Sequence, residues 1–210
     1  MATLKGDNKN NFLLADPLNS DSVYKIYGYG GNDQIFGNDR AHNIIDGGTG
    51  NDAIYGGDFK NTINGGKGND DIHGGAGRDV ITGGAGVDRL WGGGSGDRFV
   101  FKSAAEIGRA EGRRDVIEQF KADSFNGRDK IDFSAIDAIA GTKKNDAFTW
   151  VAKEGAAFSG KKGELTWTGT ELSNGHYTKL VMGDINGDKK ADFILEVEAF
   201  GNLYKGDFIL

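Results

Sequence analysis

The chain has 210 residues, a formal net charge of −6 and no cysteine, which excludes a disulfide framework and a thiolate metal site. The acidic balance argues against nucleic-acid binding, because neutralising phosphates requires a clustered basic surface. Glycine occurs 36 times and proline once, so the composition is neither that of collagen nor that of a proline-rich disordered chain.

The first residues, MATLKGDNKN, are polar and lack the apolar core of a signal peptide. No run of 18 apolar residues occurs further on, so we expect neither a cleaved N-terminal signal nor a membrane span. Asn11 with Leu13, and Tyr24 with Ile26, resemble degenerate copies of a repeat, separated by a short insertion around Pro17.

A nine-residue period then continues to about residue 100. Each copy has two glycines, a third glycine, an Asp or Asn, and an apolar residue two positions later. The polar position is occupied by Asp33, Asn43, Asp52, Asn61, Asp70, Asp79, Asp88 and Asp97. The apolar position is occupied by Ile35, Ile45, Ile54, Ile63, Ile72, Ile81, Leu90 and Phe99. The first 100 residues contain 13 Asp and no Glu, which indicates that the carboxylate must be carried on the shorter of the two acidic side chains.

This period predicts a coil of short parallel strands. One apolar residue between polar ones indicates a strand with a single inward side chain, and the glycine-rich residues can reverse the chain. Two repeats then form one turn of the coil, so alternate repeats stack along the same edge. The first edge carries Asp33, Asp52, Asp70 and Asp88, and the second edge carries Tyr24, Asn43, Asn61, Asp79 and Asp97.

Stacked aspartates about 4.8 Å apart repel one another unless cations lie between them. Carboxylates and main-chain carbonyls suit calcium, whereas the three isolated histidines suit zinc poorly. We predict three calcium sites on the first edge, at 33/52, 52/70 and 70/88, and one on the second edge at 79/97. The neutral oxygen of Asn61 weakens a site at 61/79, and 43/61 stays open, so four to six ions are expected.

Glycines of the turns are expected to direct carbonyls toward these ions. They are Gly28, Gly30, Gly47, Gly48, Gly50, Gly65, Gly66, Gly68, Gly74, Gly75, Gly77, Gly83, Gly84, Gly86, Gly92 and Gly93. The inward side chains bury too little apolar surface to offset the ordering of the whole coil. Folding of the coil is therefore expected to require calcium.

The last position of each repeat points outward, and on one face it forms a row of rings. These residues are Phe36, Tyr55, His73 and Trp91. Exposed aromatic rows are typical of interfaces. Packing against a neighbouring domain or segment, and binding of a glycan, are both open as interpretations.

Beyond residue 100 glutamate appears and glycine becomes less frequent. Strand-like segments occur at 115–120, 130–133, 148–151, 164–167, 179–182 and 193–197, and a short helix is indicated within 103–112. We expect two domains, a roll over 1–100 and a cap over 101–210. The cap should consist of antiparallel strands that cover the open end of the coil.

The segment DINGDKKAD resembles an EF-hand loop. Asp184, Asn186, Asp188 and Asp192 occupy its positions 1, 3, 5 and 9, but Leu195 replaces the glutamate of position 12. A further calcium ion and a plain polar hairpin turn are the two alternatives here.

The nonapeptide resembles the calcium-binding repeat of RTX proteins. The segments DVIEQFKADSFNGRDKIDFSAIDA, AFSGKKGELTW, GDINGDKKADFILEV and GDFIL resemble the C-terminal domain of the serralysin metalloproteases. This resemblance implies an all-β fold, a right-handed parallel β-roll continuing into a β-sandwich-like cap, that binds calcium. It also implies a type I secretion signal at Asp207, Phe208, Ile209 and Leu210, hence an exporter as partner and an extracellular location.

The zinc-binding H-E-x-x-H run of the serralysins is missing, as are a G-x-S-x-G elbow and a phosphate-binding loop. We therefore expect a non-catalytic calcium-binding module that folds after secretion and stabilises an attached exoprotein, such as a protease, epimerase or lyase. The alternative is a module similar to the R-modules of mannuronan C-5 epimerases, associated with an acidic polysaccharide such as alginate.

Overall fold

The computed structural model describes residues 1–18, 23–110, 112–122, 127–142, 145–171 and 176–210. The strands are β1 (Ala2–Lys5), β2 (Phe12–Leu14), β3 (Val23–Tyr27), β4 (Gln34–Phe36), β5 (His42–Thr49), β6 (Ala53–Tyr55), β7 (Asn61–Lys67), β8 (Asp71–Gly75), β9 (Val80–Ala85), β10 (Arg89–Gly93), β11 (Arg98–Val100), β12 (Gly108–Ala110), β13 (Arg113–Arg114), β14 (Val116–Lys121), β15 (Lys130–Asp132), β16 (Thr149–Trp150), β17 (Glu164–Glu171), β18 (His176–Asp184), β19 (Phe193–Phe200) and β20 (Phe208–Ile209). One helix, α1, spans Ala104–Ile107, and a 3-10 turn spans Lys205–Asp207.

Consecutive strands of the roll alternate between two sheets. The first sheet has the order β1-β3-β5-β7-β9-β11-β15-β20, and the second has the order β16-β17-β18-β19-β14-β10-β8-β6-β4-β2. Neighbouring strands of the roll pair in parallel, for example Ile54 with Ile72 and Ile63 with Ile81. The predicted parallel β-roll is thereby confirmed.

The inward apolar residues form two continuous ladders, one on each sheet. All eight repeat residues of this kind are at most 1% exposed. Leu13 pairs with Ile35, and Ile26 pairs with Ile45, so the degenerate N-terminal copies belong to the same coil. A strand this short buries one side chain, and stability comes from stacking that side chain on its equivalents in neighbouring turns.

The strands after residue 100 do not all pair as expected. β14 pairs in parallel with β10, and β15 pairs in parallel with β11, so the expectation of antiparallel strands is wrong for these two. In the described part of this half, β17, β18 and β19 form an antiparallel meander, and β12 and β13 form an antiparallel pair. The reason is that Ile117 and Ile131 continue the inward ladders next to Leu90 and Phe99.

The predicted helix of residues 103–112 is shorter than expected. It ends at Ile107, because Gly108 adopts φ 80 and the chain continues into the β12–β13 hairpin. Among the described residues, no helix is long and apolar enough to cross a membrane.

Aromatic side chains from the part of the chain after residue 100 form a cluster. The Phe133 ring lies 5.3 Å from the Phe193 ring and 5.7 Å from the Phe101 ring, between centroids. β20 pairs in parallel with β15, and Phe208 is 7% exposed. The C-terminal residues are therefore part of the folded core.

Candidate metal centre

The aspartates of alternate repeats form hydrogen-bonded columns at the turns. In the first column, the main-chain N–H of Asp33 donates to Oδ1 of Asp52 at 2.8 Å. The N–H groups of Asp52 and Asp70 donate in the same way to Asp70 and Asp88, both at 2.9 Å. In the second column Asp79 donates to Asp97 at 2.9 Å. The predicted assignment of repeats to two edges is confirmed.

The second carboxylate oxygen of each repeat aspartate is left unsatisfied. All six side chains are at most 2% exposed, and their Oδ2 atoms find no hydrogen-bond donor in the described part of the chain. The six are Asp33, Asp52, Asp70, Asp79, Asp88 and Asp97. A buried anionic oxygen without a hydrogen-bond partner costs folding free energy. A positively charged group beside each Oδ2 atom would therefore stabilise its turn.

Main-chain carbonyls lie beside these oxygens because glycine leaves room for them. A Cβ at Gly47 would lie 2.5 Å from Asp52 Oδ2 and 2.6 Å from the Gly65 carbonyl oxygen. At Gly74 the same distances, to Asp79 Oδ2 and the Gly92 oxygen, are 2.5 and 2.6 Å. Carboxylate and carbonyl oxygens thus converge on a space that any side chain would fill.

The predicted glycines fall into groups with different neighbours. The glycines beside an Oδ2 atom are Gly28, Gly47, Gly65, Gly74, Gly83 and Gly92. The glycines at which the backbone of the adjacent coil turn passes too close for a side chain are Gly48, Gly50, Gly66, Gly68, Gly75, Gly77, Gly84, Gly86 and Gly93. Gly30 differs, since its nearest neighbour is the Thr49 hydroxyl. Only the first group is placed to shape a cation position directly.

Burial disfavours ionisation of these carboxyl groups when no cation is bound. It raises the pKa of Asp52, Asp79 and Asp88 to about 6, and that of Asp70 and Asp97 to about 7. Repulsion from neighbouring carboxylates adds to the effect at Asp70 and Asp97. A cation between the turns would favour the charged form and remove this penalty.

The two asparagines of the second column, unlike the aspartates, donate hydrogen bonds to the oxygens around them. Asn43 donates its Nδ2 hydrogens to the Gly56 carbonyl at 2.8 Å and to Asn61 Oδ1 at 2.7 Å. Asn61 donates in the same way to the Gly74 carbonyl at 3.0 Å and to Asp79 Oδ1 at 3.0 Å. The amide thereby satisfies the oxygens that a cation would otherwise bind.

Two aspartates outside the repeats extend the columns, and the sequence interpretation missed them. Asp115 Oδ1 accepts the N–H of Asp88, and Asp129 Oδ1 accepts the N–H of Asp97, both at 2.9 Å. Each is followed two residues later by an inward isoleucine, the same Asp-x-apolar signal as in the repeats. That signal was obscured because the paired glycines that open each repeat are missing before it, although Gly127 precedes Asp129 by two residues.

These two residues differ in their second oxygen. Asp129 Oδ2 accepts the N–H of Lys121 at 2.9 Å, whereas Asp115 Oδ2 has no donor among the described residues. Burial and the nearby Asp88 and Glu106 carboxylates raise the pKa of Asp115 to about 9. Asp115 therefore resembles the repeat aspartates, and Asp129 closes its column with hydrogen bonds alone.

The donor set fits a hard cation. No cluster of three or more acidic, histidine or cysteine side chains converges on one point in the described ranges, so main-chain carbonyls must complete any coordination shell. Oxygen-only shells of carboxylates and carbonyls are those of calcium.

The loop of residues 184–192 is closed by its own hydrogen bonds. Asp184 accepts the N–H groups of Gly187 and Lys189 at 2.7 and 2.9 Å, and Asp192 accepts that of Ile185 at 2.7 Å. Asn186 and Asp188 accept N–H groups two residues ahead, both within 3.0 Å. This geometry is that of a polar hairpin turn, and a calcium ion here stays a prediction.

The outward aromatic row forms a continuous stack. Successive ring centroids of Phe36, Tyr55, His73 and Trp91 are 4.9, 4.9 and 4.3 Å apart, and adjacent planes differ by at most 8°. Arg89 lies over the Trp91 ring, 5.3 Å from its centroid. The ring faces cover one another and leave mainly edges exposed, so a sugar cannot stack on them face to face.

A protein-family model of the RTX calcium-binding nonapeptide repeat (4 copies) matches residues 25–39, 46–80 and 64–99. These segments contain all six repeat aspartates and Asn61. No curated protein sequence matches the chain. Among solved structures, the chain is similar to the solution structure of the AlgE6R3 subunit from the Azotobacter vinelandii mannuronan C5-epimerase, with 18% identity, 97% of this chain and 80% of that chain covered, and a TM-score of 0.29.

Proposed function

We propose that this chain, which carries RTX calcium-binding nonapeptide repeats, is a non-catalytic module that folds when it binds calcium outside the cell. Its folded roll then stabilises the exoprotein of which it is part. The observation that carries this proposal is the set of six buried aspartate Oδ2 atoms for which the described residues offer no donor.

The positions of these oxygens suggest where ions bind. The first column offers positions at 33/52, 52/70 and 70/88, and the second offers one at 79/97. Asn61 and Asn43 fill the equivalent places with amide hydrogens, which argues against ions at 43/61 and leaves 61/79 the weaker of the remaining sites. Four to six calcium ions remain the proposed number, and each would neutralise carboxylates that otherwise repel across the stack.

Calcium-dependent folding would suit export through a type I secretion channel. In a low-calcium cytosol the uncompensated aspartates would keep the chain unfolded and Asp207–Leu210 accessible to the exporter. In the folded protein Phe208 and Ile209 belong to β20 and pack against β15. The same four residues would therefore serve as a signal before folding and as a strand afterwards.

The proposal is tested by removing calcium. Far-ultraviolet circular dichroism in EDTA should show a largely disordered chain, and excess calcium should restore the β spectrum cooperatively. A site with a dissociation constant 100-fold below the ion concentration contributes about 2.7 kcal/mol, so several sites can drive folding. A fully folded roll in EDTA at neutral pH would contradict the proposal.

Magnesium is the matched control for this experiment. It carries the same charge but demands a smaller octahedral shell and retains its waters. Equal recovery with magnesium and calcium would indicate charge screening rather than coordination. For export, deleting Asp207–Leu210 should abolish secretion through a type I channel, while a substitution at exposed Lys205 should not.

A further inference from the structure

A second candidate site lies in the cap, away from the aspartate columns. It is an open cleft of about 740 Å³, and its walls include Trp150, Glu154, Trp167, Asn202 and Tyr204. The segment carrying Glu154 is held in place because the N–H of Gly155 donates to the Trp167 carbonyl at 2.8 Å. The cleft therefore lies on a hydrogen-bonded sheet edge rather than on an unsupported loop.

Lys179 lies behind this cleft at a position that packing alone would assign to an apolar residue. It pairs with Val197 on β19 and lies two residues from Val181 on the inner face of β18. The side chain is 1% exposed. Its Nζ atom lies 4.3 Å from the centroid of Tyr177 and 4.8 Å from that of Trp167. An ammonium group at such a position costs stability unless it is well compensated.

The polar contacts of the Lys179 ammonium group offset only part of the cost of burying its charge. Its Nζ donates to Asn202 Oδ1 at 3.3 Å and lies 3.8 Å from Glu154 Oε1, both of which are long for charge-assisted bonds. The Trp167 indole Nε1, in a side chain 5% exposed, has no acceptor among the described residues. The Trp167 N–H in the cleft wall is thus a donor without an acceptor among the described residues, whereas Lys179 lies behind the wall and orients Glu154 and Asn202.

The remaining groups of the cleft define the chemistry of that ligand. Glu154 accepts hydrogen bonds, Asn202 can donate and accept, and the Tyr204 side chain is 49% exposed. Trp150 is fixed by packing at 4.7 Å on Phe208, between ring centroids. Sugar hydroxyls both donate and accept, and the C–H face of a pyranose packs on aromatic rings.

We infer that this cleft binds a hexopyranose unit of a saccharide, with the Trp167 N–H donating to one of its oxygens, Glu154 and Asn202 hydrogen-bonding its hydroxyls and Tyr204 packing on its ring. The site is independent of the proposed calcium-dependent folding, apart from requiring a folded cap. It differs from the aromatic stack of the roll, where ring faces are already covered.

The test uses the full chain, calcium-loaded and shown by circular dichroism to be folded. Nuclear magnetic resonance resolves the indole N–H signals of the three tryptophans. Methyl glycosides of glucose, mannose and galactose, together with glucuronate and alginate oligomers, are titrated separately. We expect a millimolar or tighter ligand among them that shifts the Trp167 signal and leaves Trp91 unmoved.

Substitutions then assign the contacts. Trp167→Phe keeps an aromatic, although smaller, ring and removes the N–H, so affinity should fall about fivefold. Tyr204→Ala changes an exposed side chain and should weaken binding by a similar factor of about five. Trp91→Phe on the roll is the matched control and should leave affinity unchanged.

Absence of a Trp167 shift with every one of these sugars would overturn the inference. A shift of equal size with sodium acetate would overturn the saccharide assignment, because it would show a simple carboxylate site. Binding that shifts Trp91 instead would place the ligand on the roll and would also contradict the cleft.

Discussion

At the scale of single residues, the difference between Asp and Asn decides what each turn requires. Both side chains accept a main-chain N–H through Oδ1, as in Asp70 with Asp52 and Asn43 with Asn38. The second atom differs, because Asn donates to nearby carbonyls whereas the Asp oxygen stays unpartnered within the described residues. The six repeat aspartates therefore each leave a buried oxygen that a cation could satisfy, whereas Asn43 and Asn61 satisfy their surroundings with amide hydrogens.

Asp70→Asn tests this dependence against Asp33→Asn. Asp70 lies between two aspartates of its column, whereas Asp33 is preceded by Asn11. We expect the first substitution to remove about two calcium ions and the second about one, since each ion lies between adjacent turns. Isothermal titration calorimetry gives the stoichiometry, and equal losses would contradict the column arrangement. Asp97 is not a suitable end-of-column comparison, because Asp129 follows it.

Asn61→Asp should have the opposite effect. It replaces an amide that satisfies the Gly74 carbonyl with a second unpartnered oxygen next to Asp79. Bound calcium should increase by about one ion, and the metal-free chain should become less stable. Asn51→Asp adds the same charge at an exposed position beside the first column and should leave the stoichiometry unchanged. Equilibrium dialysis with both variants would show the difference.

At the scale of strands and turns, the glycines keep open the space in which oxygens meet. Six of the predicted glycines border an Oδ2 atom, and nine border the backbone of the adjacent coil turn. A strand of three residues cannot position these groups alone, so the geometry depends on stacking with the neighbouring repeat.

Gly47→Ala should disrupt both ion positions around Asp52. Its Cβ would lie 2.5 Å from Asp52 Oδ2 and 2.6 Å from the Gly65 carbonyl, closer than real contacts permit. We expect a loss of about 2 kcal/mol or more of unfolding free energy in calcium, as for other overpacked sites. Gly206→Ala is the control, since its Cβ would meet nothing nearer than 3.9 Å. Thermal unfolding of both in excess calcium distinguishes them.

At the scale of the whole molecule, the metal-free roll contains many carboxyl groups whose pKa is raised by burial. The folded form of such groups binds more protons than the unfolded form, for which the pKa of Asp is about 3.9. Stability from protonation is therefore fully present below pH 4 and is lost as pH rises through about 6 to 7, the pKa values of Asp52, Asp79, Asp88, Asp70 and Asp97.

Acid should therefore partly replace calcium. In EDTA, the chain should gain β structure between pH 8 and pH 5, whereas in calcium it should be folded throughout that range. Circular dichroism across this range, with and without EDTA, provides the measurement. Equal disorder of the metal-free chain at pH 5 and pH 8 would show that the carboxyls are not buried in the way described.

The sequence by itself determined the coil, because a period of nine with one apolar residue permits only one inward ladder per sheet. Ile35, Ile54 and Ile72 follow from that spacing, as do the alternate edges of Asp70 and Asp79. The tertiary structure alone decided the other features. Parallel pairing placed Asp115 and Asp129 at the ends of the columns, although the paired glycines of the repeat do not precede them. It also brought Lys179, Trp167 and Asn202 together from different segments of the cap, a contact that no local pattern encodes because it depends on how the strands meet.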